Sequence, residues 1–156
     1  MKILFASTYI YKKEWNEFTK NRTGFGIMVN DIFESIEKKS EAYLFTHVIT
    51  EGHNNVIRHS WKDVFKNVKP KDLCKGIEYF WKYKQPLMGR VRYLYYGLNA
   101  GAFRNSIKVI NPDIVHIHGI GIATKPLIEV CKEEQIPYLV TLHGLIGLDE
   151  TTLAPE

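Results

Sequence analysis

Each of two apolar runs, 113–118 and 137–142, is closed by a histidine followed by a glycine. The two pairs are His118-Gly119 and His143-Gly144. An imidazole can hydrogen-bond a ligand oxygen, and a glycine lets the backbone come close to that ligand. At the carboxyl ends of parallel strands, such residues border the ligand crevice. They are therefore candidate substrate-binding residues. Imidazoles that only hydrogen-bond loop carbonyls are the structural alternative.

A third histidine, His116, precedes His118 by two residues, so the two side chains point to the same face of a strand. With His143 on the neighbouring strand, three imidazoles could form a zinc site. However, no nearby carboxylate or cysteine completes a metal-ligand set with them. We therefore predict no metal site. His116 is assigned to the core beneath a covering helix, whereas His118 and His143 are expected to be more accessible.

The motif T-G-F-G at 23–26 precedes a segment of helical periodicity at 26–39. Gly24 and Gly26 would let the backbone approach an anion, towards which the helix amino end directs its amides. Val29 occupies the place of the third glycine of G-x-G-x-x-G, and no Gly-Lys-Ser/Thr is present. The motif therefore indicates neither NAD nor a Walker-type nucleotide site. An anion contact and a purely conformational role for the two glycines both stay open.

These candidate residues lie on a pattern of alternating strands and helices. The stretch 111–144 has two apolar runs around a helical segment, which predicts a β-α-β unit. Both runs are apolar throughout, which is typical of strands covered on both faces. Further strands are predicted at 2–9, 42–49 and 55–61, and further helices at 26–39, 70–84 and 90–109. The pattern predicts one α/β domain over 1–156, Rossmann-like, with a doubly wound, mostly parallel sheet. Because the chain stops one loop after a central strand, we expect it to belong to a longer protein.

Positive charge is concentrated in the middle of the chain. Segment 58–108 has twelve Lys and Arg against three acids, in a chain of net charge +4. Within it, the block 61–96 interleaves basic residues with aromatic ones. On amphipathic helices this mixture favours a peripheral membrane contact, and single-stranded nucleic acid is the less favoured partner. A solvated face with its rings in the core is the alternative. One helix face collects Leu73, Ile77, Phe80 and Trp81.

Other features narrow the class of protein. Cys74 and Cys131 are far apart and give no disulfide framework, which favours a reducing, cytoplasmic location. The amino-terminal apolar run is short and is predicted to be a strand instead of a signal peptide. No run has the length of a transmembrane helix. No Ser-His-Asp or Cys-His arrangement indicates a nucleophile.

Four phrases together resemble the amino-terminal domain of retaining glycosyltransferases of family 4, the GT-B type. They are K-I-L-F-A-S at 2–7, G-F-G at 24–26, N-P-D-I-V-H-I-H-G at 111–119 and I-P-Y-L-V-T-L-H-G at 136–144. The resemblance covers the whole chain in order and is strongest over 111–145. The segment 50–105 matches no pattern of that family.

The resemblance implies one half of a GT-B fold, the acceptor-side domain. Such an enzyme moves a sugar from a nucleotide-sugar donor to a glycan or lipid-linked acceptor with retention, without cofactor or metal and with no catalytic residue assigned on this half. By position, Gly24 and Gly26 match the loop near the donor diphosphate. The family's cleft residues correspond to His118, Gly119, His143 and Gly144.

Two departures from the family pattern limit the comparison. Phe25 separates glycines that are adjacent in the family. The donor-side domain with its Glu-x7-Glu signature is not within these 156 residues, so we expect this segment alone to transfer no sugar. The alternative function is a non-catalytic Rossmann-like module that docks on membrane or nucleic acid through the block 61–96.

Overall fold

A computed structural model describes residues 1–8, 24–46, 61–83 and 86–142. Within these ranges, strands and helices alternate along the chain. They are β1 (Lys2–Ser7), α1 (Gly24–Glu37), β2 (Glu41–Thr46), α2 (Trp61–Lys66), α3 (Pro70–Lys82), α4 (Leu87–Ile110), β3 (Ile114–His118), α5 (Lys125–Glu133) and β4 (Tyr138–Thr141). The predicted α/β class is confirmed.

The strands form one four-stranded sheet in the order β2-β1-β3-β4, and every pair is parallel. Ser7 at the end of β1 is level with Thr46 of β2 and His118 of β3. His118 is in turn level with Thr141 of β4. All four carboxyl ends therefore meet along one edge of the sheet, as expected for parallel strands.

Helices pack on both faces of this sheet because the central strand is apolar on both sides. On one face, Ile3 and Phe5 are buried with Phe33 of α1. On the other face, Leu4 and Ala6 join a core that includes residues of α2, α4 and α5, among them Val64, Phe103 and Leu127. Successive residues of a strand point to opposite faces, so the continuous apolar run of β1 supplies both cores.

The end of α4 places β3 beside β1. Asn111 follows the helix with a φ of 49°, and its amide donates to the Ile107 carbonyl at 2.8 Å. Asparagine tolerates this left-handed conformation, and the proline at 112 cannot continue the helix. The chain then turns into β3, where the Asp113 amide donates to the Lys2 carbonyl at 2.9 Å.

Close glycine contacts hold α4 against its helical neighbours. A Cβ atom placed on Gly97 would lie 2.5 Å from the backbone nitrogen of Gly76 in α3. A Cβ atom on Gly101 would lie 2.5 Å from the carbonyl oxygen of Val64 in α2. The absence of a side chain at these two glycines therefore permits the close approach of α3 and α2.

Two expectations from the sequence are wrong. Trp61 begins α2 instead of ending a strand, because the helix that starts there packs on α4, with Val64 beside Gly101. The rest of the predicted strand, 55–60, is outside the described ranges. Strand β4 is not covered on both faces, since Leu139 is 52% exposed at the edge of the four described strands.

Other expectations agree with the structure. Cys131 lies in the core, where burial raises the pKa of its thiol to about 12. Cys74 is exposed. Among the described helices, none combines the length and the apolar character needed to cross a membrane.

Candidate functional site

A cleft of about 210 Å³ lies at the carboxyl edge of the sheet. It is bordered by the end of β1, the first turn of α1 and the connection from β3 to α5. The lining residues are Thr8, Phe25, Gly119, Ile120, Gly121, Ala123 and Thr124. This is the edge at which open parallel sheets bind their ligands.

The amino end of α1 forms one wall of the cleft. The helix begins at Gly24, so Gly24 and Gly26 belong to its first turn, not to a loop before it. The ring of Phe25 lies 3.5 Å from the position that a Cβ atom on Gly119 would occupy. The positive end of the α1 dipole is thereby held beside the end of β3, where it favours a negatively charged ligand. No acidic residue lies in that first turn to oppose it.

Gly119 sets the shape of the opposite wall. Its φ of 84° is one that a residue with a Cβ adopts only at a cost in free energy. Its amide donates to the Thr141 carbonyl at 2.9 Å, which extends the β3–β4 pairing by one residue. The glycine therefore turns the chain away from the sheet directly above His118, and Ile120 follows with 57% of its surface exposed.

The amino end of α5 contributes shape to the cleft but few hydrogen-bond donors. The amides of Thr124 and Lys125 both donate to the Gly121 carbonyl at 3.0 Å. Pro126 has no amide hydrogen, and the Leu127 amide donates to the Thr124 carbonyl at 3.0 Å. The amides at 124–127 are therefore used within the chain or lack a hydrogen, so this end of α5 offers no donor to an anion.

His118 is buried, so the expectation that it is more accessible than His116 is wrong. Its ring stacks on Phe5 at a centroid distance of 5.4 Å, and its exposed fraction is 0%. The reason is that His118 shares the α1-facing side of the sheet with Phe5, which packs edge-on against Phe33 at 5.5 Å. A strand-end imidazole there lies beneath the helix, not in the crevice.

His116 is the more exposed of the two imidazoles, although it is half-buried. Its Nε2 atom lies 2.6 Å from the Thr141 hydroxyl, which fixes the ring against β4. The two histidine rings are 4.1 Å apart. Within the described ranges, no group of three His, Cys, Asp or Glu side chains is arranged to hold a metal ion.

The structure brings together part of the predicted site. Gly119 lines the cleft, and Gly24 and Gly26 flank Phe25 at its wall. His143 and Gly144 are outside the described part of the chain. Several lining residues were not singled out from the sequence, among them Phe25, Ile120 and Thr124. Two of these residues carried a recognisable sequence signal. Phe25 lies inside the T-G-F-G motif, and Thr124 begins Thr-Lys-Pro, which is a typical helix start.

A second charged cluster lies away from this edge and joins three helices. Arg104 of α4 is 1% exposed. Its Nη1 atom donates to Asp72 Oδ2 in α3 at 2.8 Å, and its Nη2 atom donates to Glu133 Oε2 in α5 at 3.1 Å. Nε lies 3.3 Å from Glu134 Oε1. A buried guanidinium with this many acceptors has a structural role, because an unpaired charge would be costly there.

The same cluster shifts the ionisation of Glu133. Burial alone would raise the pKa of this carboxyl, but hydrogen bonds from Lys71, Lys69 and Arg104 outweigh it and lower the pKa to about 2. Lys75 pairs with Glu129 one turn earlier on α5. Much of the positive charge on this side of α3 is therefore neutralised by α5.

Comparisons of the chain with protein-family models, with curated proteins and with solved structures found no match.

Proposed function

We propose that this chain is the acceptor-side domain of a retaining glycosyltransferase, which moves a sugar from a nucleotide-sugar donor to a glycan or lipid-linked acceptor. The observation that carries the proposal is the cleft at the carboxyl edge of the sheet, between the amino end of α1 and the connection 119–124. Its place matches the glycine-rich loop and the cleft residues that the resemblance assigns. The strand order and the helices on both faces support a Rossmann-like, doubly wound half of a GT-B fold.

In this proposal the two walls have different tasks. The first turn of α1, with Gly24 and Gly26, faces the donor diphosphate, whose negative charge the helix dipole stabilises. Gly119 and Ile120 contact the acceptor or the donor sugar. Catalysis rests on support of the leaving diphosphate and on positioning, so the domain itself needs no nucleophile, cofactor or metal.

The burial of His118 changes the role proposed for it. Because its ring stacks on Phe5, it positions the turn at Gly119 instead of contacting the substrate. His143 and Gly144 remain proposed cleft residues. The donor would be held mainly by a donor-side domain, and the enzyme would work in the cytoplasm. We therefore expect the 156 residues alone to give no sugar transfer, and turnover of a nucleotide sugar by them would contradict this division of tasks.

The test is a titration of the chain, followed by amide NMR, with nucleotide sugars and with oligosaccharide acceptors. We expect shifts confined to the cleft residues Phe25 and 119–124. Ile120→Ala removes an exposed aliphatic side chain from the cleft and should weaken binding about tenfold, the factor for roughly two buried methylene groups. Leu139→Ala is the matched control, because Leu139 is similarly exposed, at 52% against 57%, but lies on β4 outside the cleft lining.

Shifts centred elsewhere, or equal losses in the two variants, would place the ligand outside this cleft and contradict the proposal. Inorganic pyrophosphate serves as a separate probe of the α1 wall. It should shift the amides of Phe25 and Gly26 and leave 125–133 unchanged, because the first amides of α5 already have acceptors or lack a hydrogen.

A further inference from the structure

We propose that the chain docks on an anionic lipid surface through the tip of the α3–α4 hairpin. This hairpin tip comprises residues 81–83 and 86–92. It is distinct from the cleft, so the inference does not depend on the proposed glycosyltransferase function. It replaces the broad block 61–96 with a smaller surface defined by exposure and charge.

The hairpin projects from the body of the domain. Gly97 of α4 lies against Gly76 of α3, and the ring of Tyr93 in α4 is 4.7 Å from that of Tyr83, which follows α3. Later residues of α3 therefore contact earlier residues of α4. The two helices are therefore antiparallel. The buried residues of α4 begin at Gly97. Leu94 and Tyr95 still pack against the core, and the seven residues of α4 before Leu94 extend about 10 Å beyond it at 1.5 Å per residue.

The tip exposes large apolar side chains. Trp81 is 69% exposed, Leu87 68%, Met88 79% and Val91 42%. Leu73 and Ile77 continue this surface along α3, at four-residue spacing from Trp81, with 45% and 44% exposure. Single exposed apolar residues are ordinary, but several at helical spacing on two neighbouring helices are typical of an interaction site.

The charge at the tip identifies the kind of partner. Lys82 and Arg92 are exposed there, and the sequence contains no acidic residue from Tyr79 to Pro112. The other side of α3 differs, since its lysines pair with glutamates of α5. Those pairs involve Lys69, Lys71 and Lys75 with Glu129, Glu133 and Glu134. The hairpin tip thus combines exposed apolar side chains with the exposed cations Lys82 and Arg92, and this combination binds anionic lipid.

The side chains favour lipid over single-stranded nucleic acid. Bases bind by stacking on outward-facing rings. Here the tyrosine rings pack on one another, with Tyr83 stacked on Tyr93 and Tyr93 edge-on to Tyr96 at 6.0 Å. The most exposed groups beside Trp81 are the aliphatic Leu87 and Met88, which offer no stacking surface but insert readily among acyl chains.

The experiment is flotation of the full chain with phosphatidylcholine vesicles, with and without phosphatidylserine. We expect binding only when phosphatidylserine is present, and its loss at high salt. Met88→Ser should weaken binding at least fivefold, since it removes an apolar side chain that inserts. Val109→Ser is the matched control: Val109 is 75% exposed on the same helix, 21 residues further on and about 32 Å away.

A second pair of variants tests the charge. Arg92→Gln should lower the vesicle partition constant about fivefold, the effect of one cation near an anionic surface. Lys132→Gln, which removes an exposed cation from the last turn of α5, should leave it unchanged. Equal binding to vesicles without phosphatidylserine, equal losses in both members of either pair, or tighter binding to a single-stranded oligonucleotide would each overturn the inference. None of these outcomes bears on ligand binding in the cleft.

Discussion

Replacement of Arg104 by methionine should destabilise the protein strongly at neutral pH. Methionine keeps an apolar chain of similar length but removes the cation that contacts Asp72 and Glu133. Asp72 is 7% exposed, and its carboxylate would retain the Lys69 amide as a hydrogen-bond donor at 2.7 Å. Because breaking a buried pair by removing one partner leaves an uncompensated charge, we expect a loss of about 3–5 kcal/mol in the free energy of unfolding.

The loss of stability should depend on pH, and the pKa of Glu133 determines whether it grows or shrinks in acid. The pKa of this carboxyl is lowered to about 2, so its stabilising contribution is complete above its ordinary value near 4.5 and disappears as the pH falls towards 2. The full shift corresponds to at most about 3 kcal/mol, less solvent screening and the share of the two lysines. Arg104→Met removes one of the groups that lower this pKa. The difference in the free energy of unfolding between wild type and variant should therefore become smaller as the pH falls.

Urea unfolding followed by circular dichroism at neutral pH and at about pH 3 measures both effects. Lys108→Met on the same helix is the control, because Lys108 is exposed, and it should change stability by no more than about 0.5 kcal/mol. If Arg104→Met unfolds at the same urea concentration as wild type at neutral pH, the cluster does not hold the three helices together and the reasoning is refuted.

Two further substitutions test the packing of α3 on α4. Gly97→Ala places a Cβ 2.5 Å from the Gly76 nitrogen, and since backbone atoms cannot rotate away, we expect a loss of about 3 kcal/mol in urea unfolding; a wild-type midpoint would show that the helices are further apart. Tyr79→Phe should raise the thermal midpoint by an amount equivalent to about 1 kcal/mol, because the Tyr79 hydroxyl is buried and has no hydrogen-bond partner within the described ranges. A lower midpoint would mean that this hydroxyl does make a stabilising bond.

The sheet and most helices could be predicted because their apolar residues recur at the period of the element. The first strand and the β-α-β unit over 111–144 both have continuous apolar runs closed by polar or glycine residues, and they lie where the periodicity indicated. The outward face of α3 could not be predicted in this way. Amphipathicity places Leu73 and Trp81 together, but the contacts of Gly76 and Asp72 with α4 decide which face is inside.

The site was predicted only in part for a similar reason. Gly119 could be found because a glycine directly after a strand indicates a turn at the ligand edge. The burial of His118 could not, because it depends on the ring of Phe5, which comes from a strand more than 100 residues earlier in the sequence. Contacts between residues so far apart leave no local pattern, so an imidazole at a strand end can equally be a ligand contact or a core residue.

The pairing of β1 with β3 also constrains the order in which the protein can fold during synthesis. The Lys2 amide donates to an Asp113 carboxylate oxygen across a separation of 111 residues. The amino-terminal strand, although central in the sheet, therefore has no partner on that side until β3 has left the ribosome. The α3–α4 hairpin is local and can form earlier, since contacts close in sequence cost less loop entropy. Until then the edge of β1 that pairs with β3 is exposed, and an unpaired strand edge makes the nascent chain prone to aggregation during this interval.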